Sequence, residues 1–435
     1  MRVAVIGAGI VGVTTAYELL CDGHQVTLFE RSGSVAVEAS FANAGVLAPG
    51  YVTPWAAPGM LRKVLGQWGR RDAAVRMASL PGPALANWLW RWWRACAAPT
   101  YLANRSAMLT LATVSLARAR ELATELSIEH ERAQGLLVLL RSEQELALAR
   151  PGLKLLTDLG VGFHVVDSAV CRRIEPALNE STAIRAGIHL PGADVGNCRQ
   201  FALGLKSELQ RRGVEFRFGH AVQRLTSGTT VSVESLALAT DAESTFIGSG
   251  NNGSAHTERF DAAVVCAAVD SCELLRPHGL RLPLQPIYGY SITLPVRHFE
   301  AHPDVGPRAA MMDERFKVAI SRLGNRVRVA GGAELAGTPT RMAAAPIATL
   351  HRVLQDWFPS AARHAKAQTW KGARPMLPDG PPAIGSAGVP GLWLNTGHGS
   401  SGWALACGSA RLVADAIGGR APDVDPAPFS PQRFR

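Results

Sequence analysis

The sequence predicts an α/β chain in which a Rossmann-like, dinucleotide-binding domain is interleaved with a second domain. The 435 residues are about three times the ~150 residues that one domain typically has. A strand, a glycine-rich turn, a helix and a second strand follow one another within residues 2–30, and a strand, a glycine-rich loop and a helix recur at 392–417. The apolar signature of residues 3–8 returns at 262–268, which is typical of buried parallel strands.

The first glycine-rich turn carries a dinucleotide-binding motif. Gly7 permits the tight turn, Gly9 lets the backbone approach a pyrophosphate, and Gly12 lets the helix pack on the strand. The amides at the start of the helix then face the phosphates with a partial positive charge. The residues expected to hold the dinucleotide here are Val5, Gly7, Ala8, Gly9, Ile10, Val11 and Gly12.

Glu30, at the end of the second strand, favours FAD or NAD over NADP. A carboxylate there accepts hydrogen bonds from ribose hydroxyls and repels a 2′-phosphate. FAD is favoured over NAD because the motif has no second credible copy, and an enzyme that uses both cofactors typically needs two such folds. The 397–402 loop also opens a helix, whose N-terminus would stabilise the negative charge of a reduced flavin.

Other segments give coarser predictions. Helices are expected around 101–126, 142–160 and 201–212, with strands at 136–140 and 214–218. Residues 226–257, rich in Ser, Thr and Gly, are expected to form an exposed hairpin or a disordered insertion. The glycine-rich motif at 248–253 lies inside this polar stretch, with no helix after it, and is interpreted as a chance match.

Composition excludes several classes of protein. Hydrophobic residues make up 47% and charged residues 18%, without a biased tract, which excludes a disordered or collagen-like chain. No window of 18 apolar residues predicts a membrane span, and strand-like residues begin at Arg2, where a signal peptide would lie. Seven cysteines form no C-x-x-C pair, so neither a metal site nor a disulfide framework is predicted, and a cytoplasmic location is expected.

The net charge of +10 has two interpretations. It favours acidic partners such as anionic lipid, or it reflects a genomic bias towards arginine, which the lack of a compact basic run favours. No nucleic-acid module is recognised, so no nucleic-acid partner is expected.

A predicted helix within 83–97 raises the question of a membrane. One helical stripe is apolar, and Trp90 lies opposite it beside two arginines. The stripe consists of Leu85, Trp88, Leu89, Trp92 and Cys96, and the arginines are Arg91 and Arg94. Peripheral contact with the inner face of the cytoplasmic membrane is one interpretation, and a helix packed on two sides is the other.

An ordered set of motifs resembles the FAD-dependent D-amino-acid oxidase-type superfamily, and within it the bacterial D-amino-acid dehydrogenase small subunits. The resemblance covers essentially the whole chain. Its carriers are residues 3–12, Ala39-Ser40-Phe41-Ala42-Asn43-Ala44-Gly45, Tyr288-Gly289-Tyr290-Ser291, Gly372-Ala373-Arg374-Pro375-Met376-Leu377-Pro378-Asp379-Gly380 and Asn395-Thr396-Gly397-His398-Gly399. It implies a Rossmann-like FAD-binding domain interleaved with an α+β substrate domain that contains a mixed or antiparallel sheet.

The resemblance also implies a set of cofactor contacts. The Ser-x-x-Asn-Ala-Gly stretch would lie along the flavin, the backbone of Val222 would touch the adenine side, and the Gly-His-Gly turn would approach the isoalloxazine. The residues assigned in this way are Glu30, Arg31, Ser40, Asn43, Ala44, Gly45, Val222, Gly397, His398, Gly399 and Ser401. Non-covalent FAD is expected, because residues 366–385 lack the cysteine to which sarcosine oxidases attach flavin.

Three residues are implied at the substrate. Arg374 resembles the arginine that clamps the substrate carboxylate, and guanidinium suits this role because it forms a permanently charged, bidentate pair. Tyr290, or its neighbour Tyr288, would donate a hydroxyl to the same carboxylate. Ser400 and Ser401 stand where the oxygen-using relatives place a lysine, which favours a dehydrogenase.

The activity implied is oxidative deamination of a D-amino acid, or of a related secondary amino acid, to a 2-oxo acid and ammonia. Hydride would pass to flavin N5, and the electrons would go to a quinone or another respiratory carrier. An oxygen-using oxidase of the glycine or sarcosine oxidase type and a D-hydroxyproline dehydrogenase are the alternatives. We expect residues 1–50, 165–270 and 370–435 to form the FAD-binding domain, and 51–164 and 271–369 the substrate domain.

Overall fold

The structure, a computed structural model, describes residues 1–66, 72–238, 254–297 and 305–434. The α-helices in this part of the chain are α1 (Ile10–Cys21), α2 (Met60–Gly66), α3 (Pro83–Ala95), α4 (Ala98–Glu125), α5 (Glu143–Asp158), α6 (Ser168–Ile174), α7 (Cys198–Arg211), α8 (Ser271–Leu275), α9 (Ala344–Trp357) and α10 (Gly402–Gly418). The strands are β1 (Arg2–Ile6), β2 (Gln25–Glu30), β3 (Val46–Leu47), β4 (Val75–Met77), β5 (Ala133–Leu140), β6 (His164–Val166), β7 (Ala186–Val195), β8 (Glu215–Phe218), β9 (His220–Thr226), β10 (Val231–Ala237), β11 (Ala255–Phe260), β12 (Ala262–Val265), β13 (Gln285–Pro295), β14 (Ala310–Asp313), β15 (Val318–Leu323), β16 (Arg326–Leu335), β17 (Gln368–Met376), β18 (Ala383–Ser386) and β19 (Leu392–Thr396).

A six-stranded sheet joins the two ends of the described chain. Its order is β18-β19-β12-β1-β2-β8, and all neighbours are parallel except β18 and β19. The central strand β1 lies between β2 and β12, where Ala4 pairs with both Thr27 and Ala263. Both faces of β1 are covered, which explains its continuous apolar run. Strands β1 and β12, which share this apolar signature, are parallel neighbours in the sheet.

Three helices pack on this sheet through a buried carboxylate. Glu18 of α1 is 1% exposed and accepts hydrogen bonds from Arg118 of α4 (Nε, 2.8 Å) and Arg411 of α10 (Nη1, 2.9 Å). A buried charge is tolerated when it is paired and hydrogen-bonded in this way. The pairing ties together helices that are far apart in sequence.

The larger sheet has ten strands and two different faces. Eight of the strands follow the order β17-β13-β16-β15-β14-β5-β7-β3, while β4 pairs with β16 and β6 with β7. One face buries Tyr290, Ile292 and Val329 against α9. The other face carries Arg328 and Ser321, which donate hydrogen bonds to the carbonyls of Asn43 and Ala44, in the segment that follows β2. The predicted fold class, with its mixed second sheet, is confirmed.

In the described part of 226–257, β10 and β11 pair in antiparallel fashion, as the expected hairpin would, but β10 is more buried than an exposed insertion would be. Strands β9, β10 and β11 form an antiparallel sheet, in which Val231 and Val233 are fully buried in the core with Phe260. These side chains alternate with partly exposed ones, as a half-buried strand requires. The chance motif at 248–253 lies outside the described residues.

Helix α3 matches the predicted amphipathic helix. Leu85, Trp88 and Trp92 are buried, whereas Trp90 and Trp93 are 50% and 53% exposed. Among the described residues, no helix is both long enough and apolar enough to cross a bilayer.

The predicted domain boundaries stay a prediction, and the sheets bear on them at two places. Strand β7 lies within the predicted FAD-binding range 165–270, and most of β17 lies within the predicted range 370–435. Both strands nevertheless belong to the larger sheet. A division by sheet would therefore assign both strands to the substrate domain.

Candidate functional site

A cavity of about 2480 Å³ extends from the first glycine-rich turn along the larger sheet. This exceeds the roughly 300–1,000 Å³ of a small-molecule pocket, so a dinucleotide and a second ligand can share it. Most of the residues predicted from the sequence line it: Gly7, Gly9, Ile10, Val11, Glu30, Arg31, Ser40, Asn43, Ala44, Gly45, Val222, Tyr288, Tyr290, Arg374, Gly397, His398, Gly399 and Ser401. Val5, Ala8 and Gly12 are not among its lining residues; Val5 and Ala8 are fully buried.

The three motif glycines differ in what surrounds them. Gly7 has φ +102°, and a Cβ there would lie 2.7 Å from the carbonyl oxygen of Cys266. A Cβ on Gly12 would lie 1.8 Å from the carbonyl oxygen of Gly7, so the helix and the turn fit only without it. A Cβ on Gly9 would meet only Ser40 Oγ, at 3.5 Å. The protein itself therefore leaves Gly9 open on the cavity side, as close approach of a ligand requires.

Glu30 is fixed by backbone amides beside the turn. Its carboxylate accepts hydrogen bonds from the amides of Ala8 (2.7 Å) and Ser32 (2.8 Å). Burial raises the pKa of the Glu30 carboxyl, although these two amides favour its charged form. Each carboxylate oxygen can accept more than one hydrogen bond, so acceptance from ribose hydroxyls stays compatible with this arrangement.

Arg31 is held by other charges at the edge of the cavity. Its guanidinium donates hydrogen bonds to Glu38 and to Asp270 (2.5 Å). These carboxylates raise the pKa of Arg31, while burial opposes the shift. The pairing also links the end of β2 to the segment after β12. A direct cofactor contact by Arg31 remains a prediction.

The segment at 40–45 is anchored from both sides. Ser40 Oγ accepts a hydrogen bond from the amide of Ile10 (3.0 Å), at the start of α1. Arg328 donates to the carbonyl of Asn43 (3.2 Å), and Ser321 donates to that of Ala44 (2.7 Å). Gly45, with φ +75°, accepts from the amide of Gly196 (2.8 Å). The larger sheet therefore fixes the segment expected to lie along a flavin.

Arg328 is a positioning residue that the sequence did not single out. It is 5% exposed and also donates to Thr293 Oγ1 (3.0 Å). Burial lowers the pKa of its guanidinium to about 10. Nothing distinguishes it from the many other arginines until the strands are paired.

The 397–402 turn is tightly packed and carries a neutral histidine. Gly397 and Gly399 have φ of +79° and +57°, and a Cβ on them would lie 2.4 Å from Leu377 and 2.6 Å from Met376. His398 is 3% exposed, hydrogen-bonds with Ser409 Oγ (2.9 Å), and burial lowers its pKa to about 3. The amide of Ser401 donates to the carbonyl of His398 (3.1 Å). This turn therefore presents backbone, and no histidine charge, near the start of α10.

Arg374 is a cation that has no acidic partner among the described residues. Its guanidinium donates to the carbonyl of Gly332 (2.8 Å) and lies 5.9 Å from the ring centroid of Trp55. No carboxylate among the described residues pairs with it, and desolvation alone lowers its pKa to about 10. Arginine has five N–H donors, so most of them remain available. The geometry suits an anionic ligand.

The guanidinium of Arg374 lies directly over Gly289, where no side chain is in its way. A Cβ at Gly289 would lie 2.3 Å from Arg374 Nη2 and 2.4 Å from Cζ. The side chain of Arg374 thus crosses its neighbouring strand directly over this glycine. The motif Tyr288-Gly289-Tyr290-Ser291 includes this glycine, but nothing in the sequence indicates that an arginine side chain lies over it.

The role predicted for Tyr290 at the substrate carboxylate stays a prediction, and the contacts of its side chain lie away from Arg374. Its hydroxyl donates to Glu334 Oε2 (2.6 Å), and its ring packs in the core against α9. Gly289 lies on the face of Arg374, so its neighbours Tyr288 and Tyr290 lie on the opposite face of strand β13. Tyr288 lines the cavity and is 6% exposed, and no contact with Arg374 supports its predicted role.

A buried lysine, not foreseen from the sequence, organises that opposite face. Lys371 Nζ donates to Glu334 Oε1 and to the carbonyls of Thr338 and Arg341, each at 2.7 Å. Its three donors are therefore all used. The ammonium also lies 4.5 Å from the ring centroid of Tyr288. Lys371 fixes the segment after β16 and has no donor left for a ligand.

The described residues contain no group of three or more His, Cys, Asp or Glu arranged to hold a metal ion. The predicted contact of Val222 is compatible with its place on β9 at the cavity wall, near the end of β2.

Comparisons with known proteins agree with this geometry. A family model described as FAD dependent oxidoreductase matches residues 2–416. The D-amino acid dehydrogenase of Cereibacter sphaeroides is 39% identical over 442 residues, which cover 100% of this chain and 95% of that protein. The D-amino acid dehydrogenase of Rhizorhabdus wittichii is 38% identical over 441 residues and 100% of both chains. Glycine oxidase from Geobacillus kaustophilus shares the fold, with a TM-score of 0.72, 21% identity, and coverage of 100% and 99%.

Proposed function

Because the chain belongs to the FAD-dependent oxidoreductase family, we propose that it is a D-amino-acid dehydrogenase. It converts D-amino acids to 2-oxo acids and ammonia. Two full-length relatives that bear this name support the substrate class. The observation that carries the proposal is Arg374, an enclosed guanidinium on the cavity wall that no carboxylate in the described part of the chain pairs with.

The residues of the cavity fit FAD. The open Gly9, the amides at the start of α1 and the carboxylate of Glu30 suit a pyrophosphate and a ribose. Two buried polar atoms on cavity-lining residues, Asn395 Oδ1 and Trp403 Nε1, have no hydrogen-bond partner among the described residues. Segments 40–45 and 397–401 are the parts of the chain that would hold the flavin ring, without a covalent bond.

When bound, FAD supplies the two-electron chemistry by accepting a hydride from the α-carbon of the substrate. Arg374 binds the substrate carboxylate as a charge-assisted pair and thereby fixes the position of that carbon. Gly289 leaves room for the guanidinium, and the carbonyl of Gly332 accepts a hydrogen bond from it. His398 stays neutral, so it neither takes up nor releases a proton near neutral pH. The substrate amine drives the step once it is neutral, and no side-chain base is assigned.

The electron acceptor is proposed to be a quinone or another respiratory carrier. A serine, Ser400, occupies the turn and accepts a hydrogen bond from Trp55 Nε1 (3.3 Å). No lysine stands in the 397–402 turn, where oxygen-using relatives are expected to have one. Peroxide formation in air at a rate equal to turnover would instead identify an oxidase.

The exposed face of α3 supports peripheral contact with a membrane. Trp90 and Trp93 are about half exposed, Leu80 is 92% exposed, and the guanidinium of Arg94 lies 4.9 Å from the ring centroid of Trp90. Aromatic rings beside arginines suit the interface of an anionic bilayer. Flotation with phosphatidylglycerol vesicles should be lost in W90S/W93S and retained in the control V165S, whose exposed valine lies on β6. Equal flotation of both variants would reject this surface.

The function is tested by anaerobic bleaching of the flavin with D- and L-amino acids and with hydroxyproline. D-amino acids should bleach the wild type, and quinone should restore its colour faster than oxygen does. Arg374→Ala should bind FAD but bleach at least 100-fold more slowly, since a bidentate charged contact is lost. Arg150→Ala, at an exposed arginine on α5, is the matched control. Bleaching of Arg374→Ala at the wild-type rate would overturn the proposal.

A further inference from the structure

The larger sheet carries a row of three small side chains that ends at a methionine, next to the position of Arg374. The strand register aligns Ser291 of β13 with Ala330 of β16, Ala330 with Ala319 of β15, and Ala319 with Met312 of β14. We call these four residues the cross-strand row. The row continues through Val138 of β5, which pairs with Met312.

The cross-strand row lies on the same face of the sheet as Arg374. Arg328 and Ser321 contact the carbonyls of Asn43 and Ala44, and each lies two residues from a row alanine on the same strand. Residues two apart in a strand share a face, so Ala330 and Ala319 point towards the cofactor side. Ser291 likewise lies two residues from Gly289, over which the guanidinium of Arg374 rests.

The row forms a shallow groove on the cavity wall, because its side chains are short up to Met312. Ala330, Ala319, Met312 and Val138 line the cavity. On two successive strands the wall projects only methyl groups, and Met312 follows on the third. Neighbouring strands lie about 5 Å apart, so the two alanines leave room for a ligand over a distance on the order of two strand spacings from Gly289.

Two charged side chains next to this path, Glu314 and Lys317, pair with each other. Glu314 accepts hydrogen bonds from Lys317 and from the hydroxyl of Tyr51 (3.0 Å). Ser291 Oγ is buried without a hydrogen-bond partner among the described residues, so the row offers at most one neutral hydroxyl. Its surface therefore suits a chain of methylene groups more than a charged one.

We infer that the cross-strand row binds the side chain of the substrate and selects D-amino acids with extended apolar side chains, such as D-methionine and D-norleucine. This inference rests on the proposed function, in which Arg374 holds the carboxylate. From that anchor, a side chain that runs over Ala330 and Ala319 meets only apolar wall until it reaches Met312. A methyl side chain, as in D-alanine, leaves most of the row empty.

Kinetics with pairs of substrates test this inference. The readout is kcat/KM for D-methionine divided by kcat/KM for D-alanine, measured by anaerobic flavin reduction. The wild-type ratio should exceed 10, because one methylene group in an apolar pocket changes discrimination about 10- to 200-fold. Ala330→Leu fills the row, and it should lower the ratio at least tenfold.

Two further variants keep the test decisive if Ala330→Leu does not fold. Ala319→Val should lower the ratio for D-norleucine relative to D-alanine. Met312→Ala lengthens the row, so it should raise kcat/KM for D-2-aminooctanoic acid relative to D-methionine. Ala416→Leu, at an exposed position of α10, is the matched control and should leave every ratio unchanged.

The outcomes separate this inference from the proposed function. A wild type that no D-amino acid bleaches would overturn the proposed function and the inference together. Bleaching by D-amino acids, with a wild-type ratio below one or with ratios that none of the row variants change, would overturn only the inference.

Discussion

Adding a single methyl group at Gly289 should disable substrate binding without disturbing the cofactor. In Gly289→Ala the new Cβ would lie 2.3 Å from Arg374 Nη2, whereas ordinary contact begins at 3.4 Å. The guanidinium must therefore withdraw by about 1 Å, the difference between these two distances. A misplacement of that size costs on the order of 100-fold in rate, or about 2.7 kcal/mol.

Stopped-flow bleaching of the FAD-loaded variant with a D-amino acid measures this effect. We expect kcat/KM to fall about 100-fold, while FAD content and the urea midpoint stay near those of the wild type. Gly162→Ala is the matched control, because Gly162 is exposed and a Cβ there would meet nothing within 4 Å. If Gly289→Ala bleaches within twofold of the wild-type rate, the position assigned to the Arg374 guanidinium is refuted.

Three further predictions concern the cofactor turn, the buried histidine and the far face of the larger sheet. Gly9→Ala should weaken FAD binding at least tenfold and change the urea midpoint of the apoprotein little, whereas Gly12→Ala should prevent folding. If the two variants behave alike in FAD titration and in urea unfolding, the distances at these glycines are contradicted. Burial lowers the pKa of His398 to about 3, so as the pH falls the histidine is protonated in the unfolded chain before it is protonated in the folded one. The free energy of unfolding should therefore fall below about pH 6.5, by up to about 1.4 kcal/mol per pH unit. In His398→Gln, urea unfolding at several pH values should show a shallower acid loss, and parallel curves for the two proteins would exclude a neutral buried histidine. Lys371→Met removes one partner of a buried ion pair and should lower the free energy of unfolding in urea by about 3–5 kcal/mol. KM for a D-amino acid should change less than twofold, because Lys371 lies on the opposite face of the sheet from Arg374. A large change in KM would show that Lys371 affects substrate binding across the sheet.

The parts of the fold that the sequence predicts well are those with local signals. A few neighbouring residues are enough to identify the glycine-rich turns at 7–12 and 397–402 and the apolar strands at 3–6 and 262–265. Both glycine-rich turns consequently line the cavity, as expected. Arg374 was likewise identified, because it sits inside an ordered motif.

The sequence is least informative where the position of a side chain depends on strand pairing. Both faces of β13 are buried, so the alternation Ile-Tyr-Gly-Tyr-Ser does not indicate which face meets the cofactor. Only the register with β17 separates Tyr290 from Arg374. The same limit hid Arg328 and the cross-strand row, whose members come from four different strands and meet only through the strand register. In 226–257, the polar composition masked the buried Val231 and Val233.

The buried pairing of Glu18 with Arg118 and Arg411 has a consequence for biosynthesis. A nascent chain that has emerged only to residue 300 contains the whole cofactor turn, yet it lacks β19, which flanks β12, and α10, which closes over α1. Until residue 411 leaves the ribosome, Glu18 lacks one of its two cations. The segment that contains α1 is therefore translated long before α10, which completes its surroundings, and uptake of the prosthetic group should follow synthesis of α10.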